Sequence, residues 1–467
     1  MKKNILLLFI LLSVLSSTAQ DITGQWNGLL KVQASQLRVV FHVSKTETGY
    51  RATMDSPDQG AKDIPVTTTT FENPKLKFQI ANALIEYSGE VNGNEITGTF
   101  KQGGMELPLN LSRHPIEKEE LKRPQEPTKP YSYYTEEVTF QNTKASISLA
   151  GTLSLPSKDG IYPVVILITG SGPQNRDEEV FTHKPFLVIA DHLTKNGIGV
   201  LRYDDRGTAQ STGDFKAATS EDFATDVESA IAYLKTRKEI NKNKIGLMGH
   251  SEGGIIAPMV AAKSKDVNFI VLLAGTGIRG DKLLLLQQEY IAKASGETEA
   301  VISNSKKTSA AIFDLITASA NNDDKLKSDI KSALNESLKN DPNAKIPDGI
   351  SQEDVVSSQV TNLLSPWMYY FIKLDPAIAL EKVKCPVLAV NGEKDVQVPA
   401  TENLPAIKNA LTKGGNKNVT TKSFPNQNHL FQECKTGLPK EYGEIEETFS
   451  PIALEYITKW IALQVSH

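Results

Sequence analysis

The stretch Gly249-His250-Ser251-Glu252-Gly253 combines residue types and a spacing that suit nucleophilic chemistry. It follows a short apolar run at 245–248, which predicts a buried strand, and it precedes apolar residues with helical spacing at 255–260. In this G-x-S-x-G pattern the glycines permit a turn too tight for larger residues, and the turn lifts the serine oxygen above the end of the strand. The pattern therefore predicts that Ser251 is a nucleophile in acyl transfer.

A serine nucleophile needs a general base, and the chain has seven histidines to choose from. We favour His429, because it follows a predicted strand at 419–424 late in the chain, which is where such a fold places its catalytic base. The other six are disfavoured by position: His250 adjoins Ser251, His467 is the last residue, His42 and His114 belong to the first region or its edge, and His183 and His192 lie in or before the first helix of the second region.

The histidine in turn needs a carboxylate that orients its ring. Asp395 closes a turn that directly follows the predicted strand 386–390, and Glu393 in the same turn is the alternative. The chain order serine, aspartate, histidine is the one that accompanies this kind of serine turn. We therefore predict a triad of Ser251, Asp395 and His429.

Acyl transfer also requires hydrogen-bond donors for the developing oxyanion. The backbone N–H of Glu252 follows the nucleophile at a helix start, and it is the first predicted donor. The loop 169–173 follows the predicted strand 164–168, and Ser171 in this loop is expected to supply the second donor. Pro173 is excluded because it has no N–H.

Two further groups of residues allow a functional and a structural interpretation. The run Arg202-Tyr203-Asp204-Asp205-Arg206-Gly207 could bind a substrate carboxylate or a metal, but we favour a charged turn whose ion pairs brace a strand end. Trp367 and Tyr370, with their aromatic neighbours, could line an acyl pocket, and a helical core cluster fits them equally well. Outside the triad no cluster has metal-ligand spacing, so no metal or other cofactor is expected.

Predicted strands and helices, the elements that must position these residues, alternate along the chain from Glu136 onward. A leading hairpin at 138–155 is followed by predicted strands and helices, and Thr219 with Asp222 predicts a capping box at one helix start. Alternating strands and helices predict the α/β class with a doubly wound, mostly parallel sheet. The predicted strands lie at 164–168, 199–203, 245–248, 269–273, 386–390 and 419–424, and the helices at 186–195, 219–234, 255–260, 401–411 and 452–464.

About a hundred residues interrupt this pattern between the strands at 269–273 and 386–390. Their helical periodicity and few strand signals predict a helical cap insertion, residues 276–382, over one end of the sheet. The catalytic α/β domain then spans 136–467.

Residues 20–113 follow a different pattern, because apolar and polar residues alternate along them. This predicts a small antiparallel all-β accessory domain, with hairpin turns at Asn92-Gly93 and Gly103-Gly104. The region contains no cluster of catalytic residue types, and His42 and Asp55 are expected to be isolated. Residues 114–135 carry four prolines and predict a linker.

The composition of the 467-residue chain is that of an ordinary globular protein, with 39% hydrophobic and 23% charged residues. A net charge of −4 provides no basic surface for nucleic acid or an anionic membrane. Residues 1–19 predict a signal peptide, and hence a periplasmic or extracellular protein, and no later stretch predicts a membrane span. Cys385 and Cys434 could pair after export or stay separate.

These features resemble the α/β-hydrolase superfamily over about 136–467. The sequences TGSGPQNRD, RYDDRG, GHSEGG, NGEKD and NHLF look, more narrowly, like exported bacterial serine esterases related to the dienelactone-hydrolase and serine-aminopeptidase-like group. The resemblance implies a Ser-His-Asp carboxylesterase with a helical cap, no cofactor and a small-molecule ester substrate. Thr169 departs from it, since many relatives carry histidine before the oxyanion glycine.

The favoured function is therefore cleavage of carboxylic esters through an acyl-enzyme. A serine peptidase acting on short peptides is the first alternative, because the same triad serves both reactions. The second alternative is a binding protein on a catalytically silent hydrolase scaffold, in which the β domain carries the binding function. The intact triad argues against this alternative.

Overall fold

The computed structural model describes residues 20–32, 35–102, 105–117, 122–340 and 351–466. The chain divides into two compact units, the first containing the strands up to Ser112 and the second the elements from Tyr134 onward. The predicted signal peptide at 1–19, the predicted turn at Gly103-Gly104 and His467 lie outside the described residues. Within these ranges no helix has the length and apolar character needed to cross a bilayer.

The first unit is an antiparallel sheet, in agreement with its alternating sequence pattern. Its strands are β1 Gly24–Val32, β2 Ser35–Thr46, β3 Gly49–Ser56, β4 Ala61–Pro65, β5 Thr68–Glu72, β6 Lys75–Ile80, β7 Ile85–Asn92, β8 Glu95–Gln102, β9 Met105–Pro108 and β10 Leu111–Ser112. Over the described ranges their order is β4-β3-β2-β1-β10-β8-β7-β6-β5, with β9 paired to β8. The alternate side chains Trp26, Phe41, Phe78 and Tyr87 are buried and form its core.

The expectation that His42 and Asp55 are isolated is wrong. His42 Nε2 lies 3.0 Å from Asp55 Oδ2. Pairing of β2 with β3 places His42 opposite Thr53, so Asp55 is its diagonal neighbour on the same face of the sheet. The contact follows from the register of the hairpin rather than from any local sequence motif.

The second unit contains a mixed sheet of the predicted α/β class. Its strands are β11 Tyr134–Asn142, β12 Ile147–Leu155, β13 Tyr162–Ile168, β14 Gly199–Tyr203, β15 Ile240–His250, β16 Val267–Leu273, β17 Val387–Gly392 and β18 Val419–Phe424. They run in the order β11-β12-β14-β13-β15-β16-β17-β18. β12 is antiparallel to both of its neighbours, β11 and β14, and all pairs among the six strands β13 to β18 are parallel. Buried residues dominate β13 to β17, because helices cover both faces, whereas most residues of the edge strand β18 are only partly buried.

Eleven helices accompany this sheet in the part of the chain that the structure describes. They are α1 Pro185–Lys195, α2 Ser220–Thr236, α3 Gly253–Ala261, α4 Gly280–Ala294, α5 Glu299–Ala318, α6 Asp324–Asn340, α7 Gln352–Leu363, α8 Pro366–Lys373, α9 Ala377–Leu380, α10 Ala400–Lys413 and α11 Pro451–Val465. The apolar sides of α2, α3 and α10 pack in one cluster, and those of α1 and α11 pack in a second. The predicted capping box is present, with Thr219 and Asp222 at the start of α2.

Helices α4 to α9 form the insertion between β16 and β17, as the periodicity predicted. Ile316, Ile330, Val356 and Ile372 belong to an apolar cluster confined to these helices. Phe371 on α8 packs instead into the main core of the unit. The insertion therefore has its own small core and is joined to the sheet through α8.

The described residues 122–133, before β11, belong to the second unit. The guanidinium of Arg123 donates to the carbonyl oxygens of Gly443 and Ile445 at 2.9 Å each. The side-chain oxygen of Gln125 accepts hydrogen bonds from the backbone N–H groups of Thr448 and Phe449. Part of the stretch 114–135 is thus held in place by hydrogen bonds, and β11 begins within it.

The two cysteines are free thiols in this structure. Burial raises the pKa of both Cys385 and Cys434 to about 11, so both thiols are protonated at neutral pH. The disulfide that the sequence left open is not formed.

Candidate active site

Ser251 occupies the turn between β15 and α3. Its φ of 51° lies in the left-handed region, a strained conformation for a non-glycine residue. The turn is tight enough that a Cβ on Gly249 would come 1.9 Å from the carbonyl oxygen of Gly253. The backbone N–H of Ser251 donates to the carbonyl of Leu273 at the end of β16, which fixes the turn to the neighbouring strand. Ser251 is left partly exposed.

Asp395 and His429 lie together after β17 and β18. His429 Nδ1 is 2.7 Å from Asp395 Oδ2, and both side chains are buried. The other carboxylate oxygen, Oδ1, accepts hydrogen bonds from the backbone N–H groups of Gln397 and Val398. These donors fix the carboxylate with one oxygen toward the imidazole. The alternative acid, Glu393, is exposed and accepts a hydrogen bond from Ser423.

The loop that carries His429 is organised by Asn428. The side-chain oxygen of Asn428 accepts from the backbone N–H groups of Leu430 and Gln432, and its amide donates to the side chain of Gln432. His429 Nε2 makes no hydrogen bond within the described ranges, and none joins it to Ser251 Oγ. Such bonds are often absent before substrate binds.

The two predicted oxyanion donors lie in the same cavity as the serine. Ser171, Ser251 and Glu252 line a space of about 70 Å³. Neither the Ser171 N–H nor the Glu252 N–H donates to another protein atom in the described part of the chain. Both N–H groups are therefore free to bind a ligand atom.

Two buried carboxylates hold the loop that carries Ser171. Asp205 accepts from the hydroxyl of Thr169 at 2.6 Å and from the N–H of Gln174 at 2.9 Å, so it ties the two ends of the loop together. Glu178 accepts from the N–H of Gly170 at 2.7 Å. Thr169, which departs from the family pattern, thus supports the loop through its hydroxyl.

Burial raises the pKa of Asp205 to about 8, and the charges of Glu252 and Glu178 add to this rise. Hydrogen bonds from Thr169 and Gln174 oppose it.

The rest of the charged run at 202–207 braces the strand end, as the favoured interpretation had it. Arg202 pairs with Asp177, Asp204 with Arg176, and Arg206 with Asp226. The pairs connect the end of β14 to the loop after β13 and to α2. Asp205 makes no ion pair with the described residues, and it is the member that reaches the loop carrying Ser171.

The wall of the cavity comes partly from the insertion. Trp367 lines it and stacks on Phe371, with ring centroids 4.9 Å apart. The indole N–H of Trp367 donates to Glu252 Oε1 at 2.8 Å, and the hydroxyl of Ser220 donates to the same oxygen. Burial raises the pKa of Glu252 above its usual value. Tyr370, the other predicted wall residue, is not among the residues that line the cavity.

The sequence did not reveal one buried pair. His250 Nδ1 is 3.0 Å from Glu178 Oε1, and His250 Nε2 is 3.0 Å from the carbonyl oxygen of His429. His250 is disfavoured as a base because it adjoins Ser251, and Glu178 sits beside a second glutamate, Glu179, in the same loop. Nothing in the local pattern distinguishes the two glutamates.

Residues 145–419 match the family described as X-Pro dipeptidyl-peptidase (S15 family). The matched region includes Ser251 and Asp395, and His429 follows its end. Esterase EstD of Thermotoga maritima is 23% identical over 334 residues, which are 70% of this chain and 69% of that protein. The uncharacterised protein PA2218 of Pseudomonas aeruginosa is 26% identical over 195 residues, 41% of this chain and 48% of that protein. The α/β hydrolase GrgF from Penicillium sp. sh18 is a similar solved structure, with 16% identity and a TM-score of 0.44 over 72% of this chain and 100% of that chain.

Proposed function

Because the chain belongs to the X-Pro dipeptidyl-peptidase (S15) family and is a serine hydrolase, we propose that it cleaves short carboxylic esters through an acyl-enzyme at Ser251. One observation carries this proposal: the strained Ser251 shares a cavity with Ser171 and Glu252, whose backbone N–H groups donate to no other protein atom among the described residues. Acyl transfer requires a nucleophile and donors for the developing oxyanion, and this cavity contains both beside the base His429 that follows β18.

In the proposed reaction Ser251 Oγ attacks the ester carbonyl while His429 Nε2 takes the hydroxyl proton. The carbonyl oxygen becomes an oxyanion that the N–H groups of Ser171 and Glu252 stabilise. The C–O bond to the alcohol then breaks, and the imidazolium returns its proton to the leaving oxygen. Water, deprotonated by the same histidine, hydrolyses the acyl-serine. Asp395 holds the His429 ring in the required tautomer throughout.

The size and lining of the cavity favour a short acyl group. The cavity holds about 70 Å³ and has apolar walls from Leu283, Leu284 and Phe371. The similarity to a protein named esterase EstD favours ester substrates. The family match favours a second candidate, cleavage of short peptides after proline. Both substrate classes use the same serine, so they are separated by rates on matched substrates.

We propose export to the periplasm or medium, on the pattern of residues 1–19. The mature protein recovered from cell fractions is then expected to begin near Gln20. A protein that retains residues 1–19 and stays in the cytoplasmic fraction would contradict this.

The test of the catalytic proposal is Ser251→Ala, assayed with p-nitrophenyl acetate and butyrate beside an Ala-Pro p-nitroanilide. We expect a loss of kcat of about 10⁴-fold or more on whichever substrate the enzyme turns over. Ser264→Ala, at a half-buried serine after α3, is the matched control and should keep full activity. A fluorophosphonate probe should label the wild type and not Ser251→Ala. Retention of more than a few per cent of kcat by the variant would refute the role of Ser251, and an unlabelled, inactive wild type would indicate a silent scaffold.

A further inference from the structure

We propose that His250 and Glu178 form a buried ion pair that positions the oxyanion loop and the base loop relative to the nucleophile turn. His250 and Glu178 are thus positioning residues, with no contact to substrate. The inference rests on the proposed function for its catalytic consequence, but the charge state of the pair can be tested independently.

The hydrogen-bond partners determine the charge of His250. Its Nδ1 faces the carboxylate of Glu178 and its Nε2 faces the carbonyl oxygen of His429, each at 3.0 Å. A carbonyl oxygen only accepts, so Nε2 must carry a proton. The same Glu178 oxygen also accepts from the N–H of Gly170, as a carboxylate does. An imidazolium donates from both nitrogens, and it satisfies every contact at once.

The charges around the pair support the same assignment. Both side chains are nine-tenths buried or more. Burial opposes charge on His250, but the nearby carboxylate of Glu178, the hydrogen bond to His429 and the charge of Asp395 outweigh it, so the pKa of His250 is raised. The His429 ring lies 4.7 Å away, centroid to centroid, and Asp205 faces Glu178 from the strand β14 side. A charged acid-base pair costs less to bury than either charge alone.

The pair connects three segments of the catalytic centre. Glu178 holds Gly170, which precedes the oxyanion donor Ser171, while His250 precedes Ser251 and holds the backbone of His429. Gly170 lies directly over the junction: a Cβ there would be 3.2 Å from Ser251 Cβ, 3.3 Å from Glu178 Oε1 and 3.4 Å from His250 Nδ1. Displacement of either partner therefore moves the oxyanion donor or the base with respect to the serine.

The first experiment reads the protonation of His250 in the unaltered enzyme. In protein labelled with ¹⁵N-histidine, we expect directly bonded protons on both ring nitrogens of His250 at pH 7. Assignment uses loss of the signals in His250→Gln or, if that variant does not fold, elimination with single variants of the other histidines, beginning with the half-buried His42 and the exposed His114. A single ring proton on His250 at pH 7 would overturn the ion pair.

The second experiment is a double-mutant cycle of Glu178→Gln and His250→Gln, with kcat expressed per active site counted by fluorophosphonate titration. We expect each single variant to lose roughly 10- to 100-fold in kcat with KM within twofold, because misplacement of catalytic groups acts on the transition state. The double variant should lose no more than the worse single variant. Glu179→Gln, the exposed neighbour, is the matched control and should be unchanged.

The outcomes separate the two levels of proposal. Additive losses of kcat in the double variant, or a fall only in the number of active sites that the fluorophosphonate labels, would refute the positioning role. Either result would leave the esterase assignment intact. An inactive wild type with a doubly protonated His250 would refute the proposed function and leave the ion pair intact.

Discussion

Each unit of the molecule contains a histidine paired with an aspartate, and the two pairs have nearly the same length. His42 Nε2 lies 3.0 Å from Asp55 Oδ2 in the first unit, and His429 Nδ1 lies 2.7 Å from Asp395 Oδ2 in the second. The histidine side chains are 42% and 6% exposed, respectively. A histidine and an aspartate at hydrogen-bond distance therefore do not identify a catalytic site by themselves. The surroundings of the pair decide whether it can serve in catalysis.

The surroundings differ because the two sheets differ. His42 and Asp55 are diagonal neighbours on adjacent antiparallel strands, and their contact faces solvent. Asp395 and His429 follow parallel strands, whose carboxyl ends bring separate loops to one edge of the sheet, next to the turn of Ser251. A parallel sheet therefore gathers residues that are far apart in sequence, whereas the hairpin joins residues only 13 apart.

The largest effect expected from this difference concerns the two aspartates. Asp395→Asn should lower kcat by roughly 10⁴-fold, because an amide favours the wrong imidazole tautomer. Asp55→Asn, the matched change in the first unit, should leave kcat within twofold of the wild type. The measurement is kcat on a short p-nitrophenyl ester, normalised to titrated active sites. Comparable losses from both changes would show that the first unit takes part in catalysis.

The second contrast is the pH dependence of stability. Asp205 releases its proton near pH 8 in the folded protein and near pH 4 when unfolded. Between these values the folded state holds a proton on Asp205 that the unfolded state has lost, so the contribution of Asp205 to wild-type stability falls as pH rises. Asp205→Asn lacks this dependence. Its free energy of unfolding should therefore rise relative to that of the wild type by about 1 kcal/mol per pH unit between pH 5 and 8.

Asp55→Asn serves as the control for this measurement. The pKa of Asp55 is lowered, first by the hydrogen bond from the backbone of Asp63, so its charged form stabilises the fold above its unfolded pKa. That contribution is lost only as the pH falls below about 4. Urea unfolding of the second unit, followed by its helical circular-dichroism signal, should therefore show the same pH dependence between pH 5 and 8 in Asp55→Asn as in the wild type. A wild type and Asp205→Asn with parallel pH dependence would contradict the raised pKa.

A smaller effect is expected from the wall that the insertion contributes. Trp367→Ala removes the indole that lines the cavity and donates to Glu252, so longer acyl chains gain room. We expect the ratio of kcat/KM for p-nitrophenyl octanoate to that for the butyrate to rise about tenfold, a change on the scale of one or two methylene groups. Tyr370→Ala, three residues along the same helix, should leave the ratio unchanged. Equal shifts in both variants would mean that the insertion acts through its packing.

The sequence was most informative where a local pattern determines the structure. The strand at 199–203 and the capping box of Thr219 and Asp222 were predicted at the positions found, because periodicity and capping depend on neighbours. The turn around Ser251 was recognisable for the same reason. Asp395 and His429 were predicted as partners from their places after strands, and they lie in hydrogen-bond contact.

The remaining features depend on contacts that no local pattern encodes. Glu178 meets His250 across 72 residues, and only the packing of two loops distinguishes it from Glu179. Trp367 and Tyr370 are equally aromatic, but which of them reaches the cavity depends on the rotation of α8 about its axis. The contact between His42 and Asp55 was within reach, since the register of the β2–β3 hairpin would have shown it.

The smallest effect is expected from His42 itself. The pair with Asp55 is substantially exposed, and exposed ion pairs contribute about 0–1 kcal/mol because water and salt screen them and ordering the side chains costs entropy. His42→Gln should therefore change the unfolding free energy of the first unit by less than about 1 kcal/mol and leave ester hydrolysis untouched. Urea unfolding followed through the buried Trp26 in that unit measures the first quantity, and kcat/KM measures the second. Asp55 also accepts a hydrogen bond from the backbone N–H of Asp63, so Asp55→Asn should destabilise this unit more than His42→Gln does. The reverse ranking would mean that the histidine contact, rather than the backbone contact, is what Asp55 contributes to the fold.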